Sequence, residues 1–127
     1  MPEDYQVEVK RNTYKAVALA AYERGFLALE MEEYSVALRE FSSASGAGFV
    51  PAMFELSELY RKGWGIKQDR TEAMRWLNWA AEEGNAEAHY RLGLINFDNE
   101  NREYFLRFAT EQGHIEASWL MKQKLPF

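Results

Sequence analysis

The sequence predicts an all-α solenoid of three helix-turn-helix repeats plus a C-terminal helix, seven helices in total, in a single domain. Three observations predict it. An alanine-punctuated apolar stripe at helical period recurs in three segments; each of those segments ends in glycine and follows another helical segment; and the spacing between copies is constant at one joint and variable at the other. A chain of 127 residues with 47% hydrophobic residues and three prolines can bury one continuous core of this kind.

The first repeat, 10–48, opens with "YKAVALAAYERGFLALEM" and returns with "YSVALREFSSASGAG". The second, 49–84, pairs "VPAMFELSELYRKG" with "RTEAMRWLNWAAEEG". In the latter, Ala73, Trp76, Leu77, Ala80 and Ala81 share one helix face. The third, 85–113, starts on Asn85, a good N-cap, with "NAEAHYRLGLINF" and continues with "NREYFLRFATEQG". A last segment, 114–125, "HIEASWLMKQKL", starts like another first helix. Ala44 to Ser57, Ala80 to Gly93 and Ala109 to Lys122 are each separated by 13 positions, so the joint between hairpins is constant. Inside the hairpins, Gly25 to Ala37, Ser57 to Ala73 and Gly93 to Arg102 span 12, 16 and 9 positions, which places all length variation in the hairpin tips.

The connector "GWGIKQD", 63–69, is the nearest thing to a glycine-rich ligand loop. A phosphate loop would need a preceding strand and a Lys-Ser/Thr pair opening the next helix, and neither is present. The connector reads instead as a corner. Gly63 closes one helix, Gly65 permits a backbone angle closed to other residues, Ile66 packs inward, and Asp69 with Glu72 forms a D-x-x-E capping box. Trp64 is not required by the corner. Either it packs over the neighbouring hairpin tip or it is an exposed anchor for a partner.

Fifteen Lys+Arg against 20 Asp+Glu give a net charge of -5, which argues against a nucleic-acid partner. The absence of cysteine excludes a disulfide scaffold, a cysteine zinc site and a thiol nucleophile. With no signal peptide and nothing near the ~20 apolar residues of a membrane span, the expectation is a soluble, cytoplasmic protein without membrane insertion. His89 and His114 lack a carboxylate or second histidine at ligand spacing, and Ser42, Ser43 and Ser45 lack a catalytic histidine nearby. No catalytic residue, metal site or cofactor is expected, and the chain reads as a non-enzyme.

Three residues before Gly25, Ser57, Gly93 and Lys122 stand Tyr22, Phe54, Tyr90 and Trp119, four aromatics at one equivalent position. Flanking positions add Phe26, Glu58 and Leu94, then Leu29, Arg61 and Phe97. Such a row is either core between successive first helices or an exposed interaction surface.

Leu56 to Gly93 resembles the Sel-one-like repeat family, a relative of the tetratricopeptide repeat with a longer connector inside each hairpin. The residues that carry the resemblance include Leu56, Tyr60, Gly63, Gly65, Ile66, Asp69, Ala73, Trp76, Ala80, Gly84, Ala88 and Gly93. The first copy resembles a tetratricopeptide hairpin through Gly25, Tyr34, Ala37, Phe41 and Ala44; the third departs, with Asn96 for tyrosine and Arg102 for alanine. The resemblance implies a right-handed α-solenoid and a scaffold or adaptor that binds another protein or peptide, often in bacterial systems. It would place Tyr22, Phe26, Phe54, Glu58, Arg61, Tyr90 and Trp119 along a concave groove and Trp64 at a hairpin tip. A second reading is an inhibitor or immunity-type protein that uses the net charge of -5 to neutralise a basic enzyme. The terminal helix either caps the third hairpin or pairs with a second copy as a homodimer.

Overall fold

The computed structural model describes residues 3–96 and 100–123. Among them are seven helices and no strand: α1 (Glu3–Glu30), α2 (Tyr34–Gly46), α3 (Val50–Lys62), α4 (Arg70–Glu82), α5 (Ala86–Ile95), α6 (Asn101–Glu111) and α7 (Ile115–Gln123). Packing is strongest within the pairs α1–α2, α3–α4 and α5–α6 and next strongest across the joints α2–α3, α4–α5 and α6–α7. This is the nearest-neighbour arrangement of an all-α repeat solenoid.

The first and third hairpins are held by a large side chain of the second helix seated on a glycine of the first. Phe41, fully buried, lies against Gly25 so closely that a Cβ there would stand 2.5 Å from the ring. The same device recurs in the third hairpin, where a Cβ on Gly93 would stand 2.7 Å from Leu106. Around these contacts run clusters built on Ala21, Ala37, Phe41 and Leu56, on Met53, Leu77, Ala80 and Leu92, and on Leu106, Ala109 and Ala117.

Helix ends follow the local chemistry. Asp69 accepts from the Glu72 backbone N–H at 3.1 Å, and Asn85 accepts from that of Ala88 at 2.8 Å. His114 does the same for α7, its Nδ1 accepting from Ala117 N at 3.2 Å, a capping role its sequence position did not announce. At the second corner Gly63 has φ 73° and Gly65 φ 80°. A side chain on Gly65 would also collide with the Tyr34 carbonyl, so the glycine serves both turn and close approach. Ile66 is half-buried.

Two boundaries differ from the sequence reading. The first helix begins at Glu3 rather than near Tyr14, and every described side chain from Gln6 to Val17 is exposed, because α2 is too short to reach back along it. The fifth helix closes at Ile95, with Asn96 donating from its side-chain nitrogen to the Leu92 carbonyl at 2.7 Å; Phe97 lies outside the described residues. No helix among the described residues is long and apolar enough to cross a membrane.

The close approach at Gly25 yields a stability prediction. Gly25→Ala gains up to about 1 kcal/mol of helix propensity but overpacks the Phe41 ring by about 1–3 kcal/mol, so urea denaturation should show a net loss of about 1–2 kcal/mol. Adding Phe41→Leu in the same chain should recover part of that loss, since the smaller side chain leaves room for the new methyl.

Candidate functional site

The face presented by the first helices α1, α3, α5 and α7 carries the aromatic register, and it is not uniform. On α1, Tyr22 is half-buried, edge-on to Phe26 at 4.9 Å and to Phe49 at 5.0 Å. Phe26 is 38% exposed, with its ring 5.4 Å from that of Phe41. On α3, Phe54 is buried at 8% exposure in the second core cluster. On α5, Tyr90 is half-buried and stacks on His114 at 4.4 Å, while Leu94, the equivalent of Phe26, is exposed. On α7, Trp119 is 60% exposed. Phe26, Leu94 and Trp119 therefore present apolar surface, Tyr22 and Tyr90 are partly committed to packing, and Phe54 is core.

Glu58, one turn beyond Phe54, is buried and is the electrostatic centre of this face. Its carboxylate pairs with Arg61 at 2.6 Å, with Arg91 of α5 at 3.3 Å and with Lys62 at 3.8 Å. The Arg91 contact crosses from the second hairpin to the third, so Glu58 ties the two repeats together. Hydrogen bonding to Glu58 strengthens the protonated form of Arg61.

Glu55 has a different fate. Burial first, then the neighbouring carboxylates of Glu58 and Glu87, push its pKa up from 4.5 to about 7, and Lys62 opposes the shift only in part. Burial, then the Glu55 charge, also raises the pKa of the Tyr22 phenol.

Trp64 is fixed by the preceding hairpin. Its indole stacks on Tyr34 at the start of α2, with ring centroids 4.7 Å apart, and the Lys62 ammonium lies 4.4 Å above it. Trp64 thus packs over the neighbouring tip and keeps 38% of its surface exposed.

The histidines are accounted for structurally. His89 is buried, stacked on Phe108 at 3.9 Å, with Nδ1 2.9 Å from the Asn85 carbonyl. His114 uses Nδ1 as the α7 cap, so Nε2 carries the proton and donates to Glu87 at 2.6 Å. Among the described residues no group of three or more His, Cys, Asp or Glu could hold a metal ion. Sequence reasoning missed Glu55, Glu87, Arg70 and Arg91. Glu55 and Arg91 directly follow Phe54 and Tyr90 of the aromatic register, but what each of them meets depends on how α3 and α5 stack.

Residues 50–85 and 86–98 match the Sel1 repeat. No curated protein matches the chain.

Two measurements separate structural from functional roles at this face. Trp64→Ala should lower stability by about 1 kcal/mol, and a double-mutant cycle with Tyr34→Ala should return a coupling of about 0.5–1.5 kcal/mol, the worth of one stacked aromatic pair. The second concerns Glu55. Because the fold raises its pKa, the unfolded chain ionises first as pH rises from 4.5 to about 7, so this group's contribution to stability falls across that window and levels off above it. Glu55→Gln should remove this slope, gaining on the parent protein by on the order of 1 kcal/mol between those limits once solvent screening is allowed for, as read by urea denaturation at stepped pH.

Proposed function

We propose that this Sel1-repeat protein is a non-enzymatic scaffold or adaptor that holds a partner protein along the inner face formed by its first helices. The observation that carries the reading is the exposure of Phe26, Leu94 and Trp119 on that face, at 38%, 39% and 60%. A chain of this size with a net charge of -5 has polar residues to place there, and apolar side chains left at repeated positions mark a contact surface. Sel1 repeats generally mediate protein–protein interaction, and the hosting of many functions by solenoids makes the surface, rather than the fold, the specific feature.

The division of the aromatic register supports the same picture. Tyr22 and Tyr90, half-buried, hold the face rigid and contribute their edges, while Phe54 and the Glu58–Arg91 pair fix the spacing between the second and third hairpins. A partner then meets a preformed surface and incurs little ordering cost on this side.

Affinity capture with the chain as bait, followed by mass spectrometry, identifies the partner, and exposed-residue variants test the surface. Phe26→Ala combined with Trp119→Ala should weaken binding about tenfold or more while changing thermal stability little. Unchanged affinity in that variant sinks the inner-face reading.

A further inference from the structure

Beside the Glu58 hub lies a cavity of about 370 Å³, bounded by the last turn of α3, the first turns of α4 and the end of α5. Its wall is of two kinds. Ala73 and Leu77, both buried, with Met74 and Ile95 form an apolar part, and Arg61, Arg70 and Arg91 line the rest from three different helices.

The charge at this cavity is unbalanced. Glu58 is the one carboxylate in its wall, and it is already shared by Arg61, Lys62 and Arg91. Arg91 keeps its Nε buried without a hydrogen-bond partner. Among the described residues Arg70 makes no ion pair or hydrogen bond, and it opens α4, where the helix dipole disfavours a cation. Three arginines around one shared carboxylate leave the wall with an excess of positive charge, which suits an anion from outside. The apolar half of the wall asks for something more than a bare anion, because a phosphate would leave Met74, Leu77 and Ile95 against a hydrated ion.

We propose that this cavity receives an apolar side chain flanked by a carboxylate from an acidic segment of the partner protein. The guanidinium forks take the carboxylate, for which their geometry is suited, and the apolar side chain covers Leu77 and Met74. This rests on the reading of the chain as a protein-binding scaffold and deepens it by naming the partner's chemistry.

The test is an NMR titration of the isotope-labelled full chain with a short peptide alternating glutamate and leucine, with its glutamine-for-glutamate copy, and with inorganic phosphate. The acidic peptide should move the Nε–H signals of Arg61, Arg70 and Arg91 and the methyl signals of Ile95, and the glutamine copy should bind about tenfold more weakly. Arg70→Gln, at an exposed position that leaves the fold intact, should lower affinity about tenfold. Equal binding of the two peptides, unchanged binding by Arg70→Gln, stronger binding of phosphate than of peptide, or no shift at these residues overturns the proposal. The identified partner separates it from the inner-face reading: sensitivity to Phe26 and Trp119 without sensitivity to Arg70 sinks the cavity alone, and the reverse sinks the inner face alone.

Discussion

The contact between a large side chain and a bare helix backbone organises this molecule. Phe41 sits on Gly25 and Leu106 on Gly93, and at both places a single added Cβ would stand within 3 Å of the seated side chain. Such an approach sets the interaxial distance of the hairpin and leaves only one rotational setting in which the stripe of alanines, Ala37 and Ala44 or Ala109, faces inward. In the second hairpin the equivalent position is Ser57, whose hydroxyl is turned back onto the Phe54 carbonyl at 2.6 Å. There the hole is partly filled by the serine itself, and the Arg-lined cavity borders this residue.

The hairpin order around that device was readable in the sequence because it repeats, whereas the seating of Phe41 and Leu106 was not. The interval from Ala44, Ala80 and Ala109 of the second helices to the matching position of the next first helix is constant, and the variable interval falls at the tips, where α3–α4 carry the long glycine corner. Gly63, Gly65, Asp69 and Asn85 were legible for the same reason: each acts on its own backbone or on that of a residue a few positions away. Legibility ended where a role depends on a residue from another repeat. Trp64 could not be assigned until Tyr34 was placed beneath it, and His114 could not be read as a cap bound to Glu87, 27 positions away.

Equivalent positions also diverge in a solenoid because their neighbours do. Phe54 is buried in the cluster shared by the second and third hairpins, whereas Trp119 belongs to the last described helix and is more than half exposed, although both occupy the same register. Periodicity gives the direction in which a side chain points, and burial is added by whatever stacks next to it. The aromatic row was therefore neither all core nor all surface, and no count of aromatics in the sequence could have divided it.

Electrostatics on the first-helix face follows from the same stacking. Four residues of one helix, Glu55, Glu58, Arg61 and Lys62, meet Arg91 and Glu87 of the next, and the outcome differs sharply between the two α3 carboxyls. Glu58 draws three cations, whose attraction offsets the desolvation cost of several kcal/mol that a buried carboxylate carries. Glu55, one turn earlier, has Glu58 and Glu87 as neighbours and is driven toward its neutral form. The two groups are linked through Lys62, which pairs with Glu58 and only in part offsets the shift of Glu55. Arg91 is the pivot, because it reaches Glu58 from α5 and adds a charge contact to the buried cluster that Met53 and Phe54 share with Ala88 and Leu92. Arg91 also lines the adjoining cavity, so the group that links the repeats contributes to that cavity's positive charge.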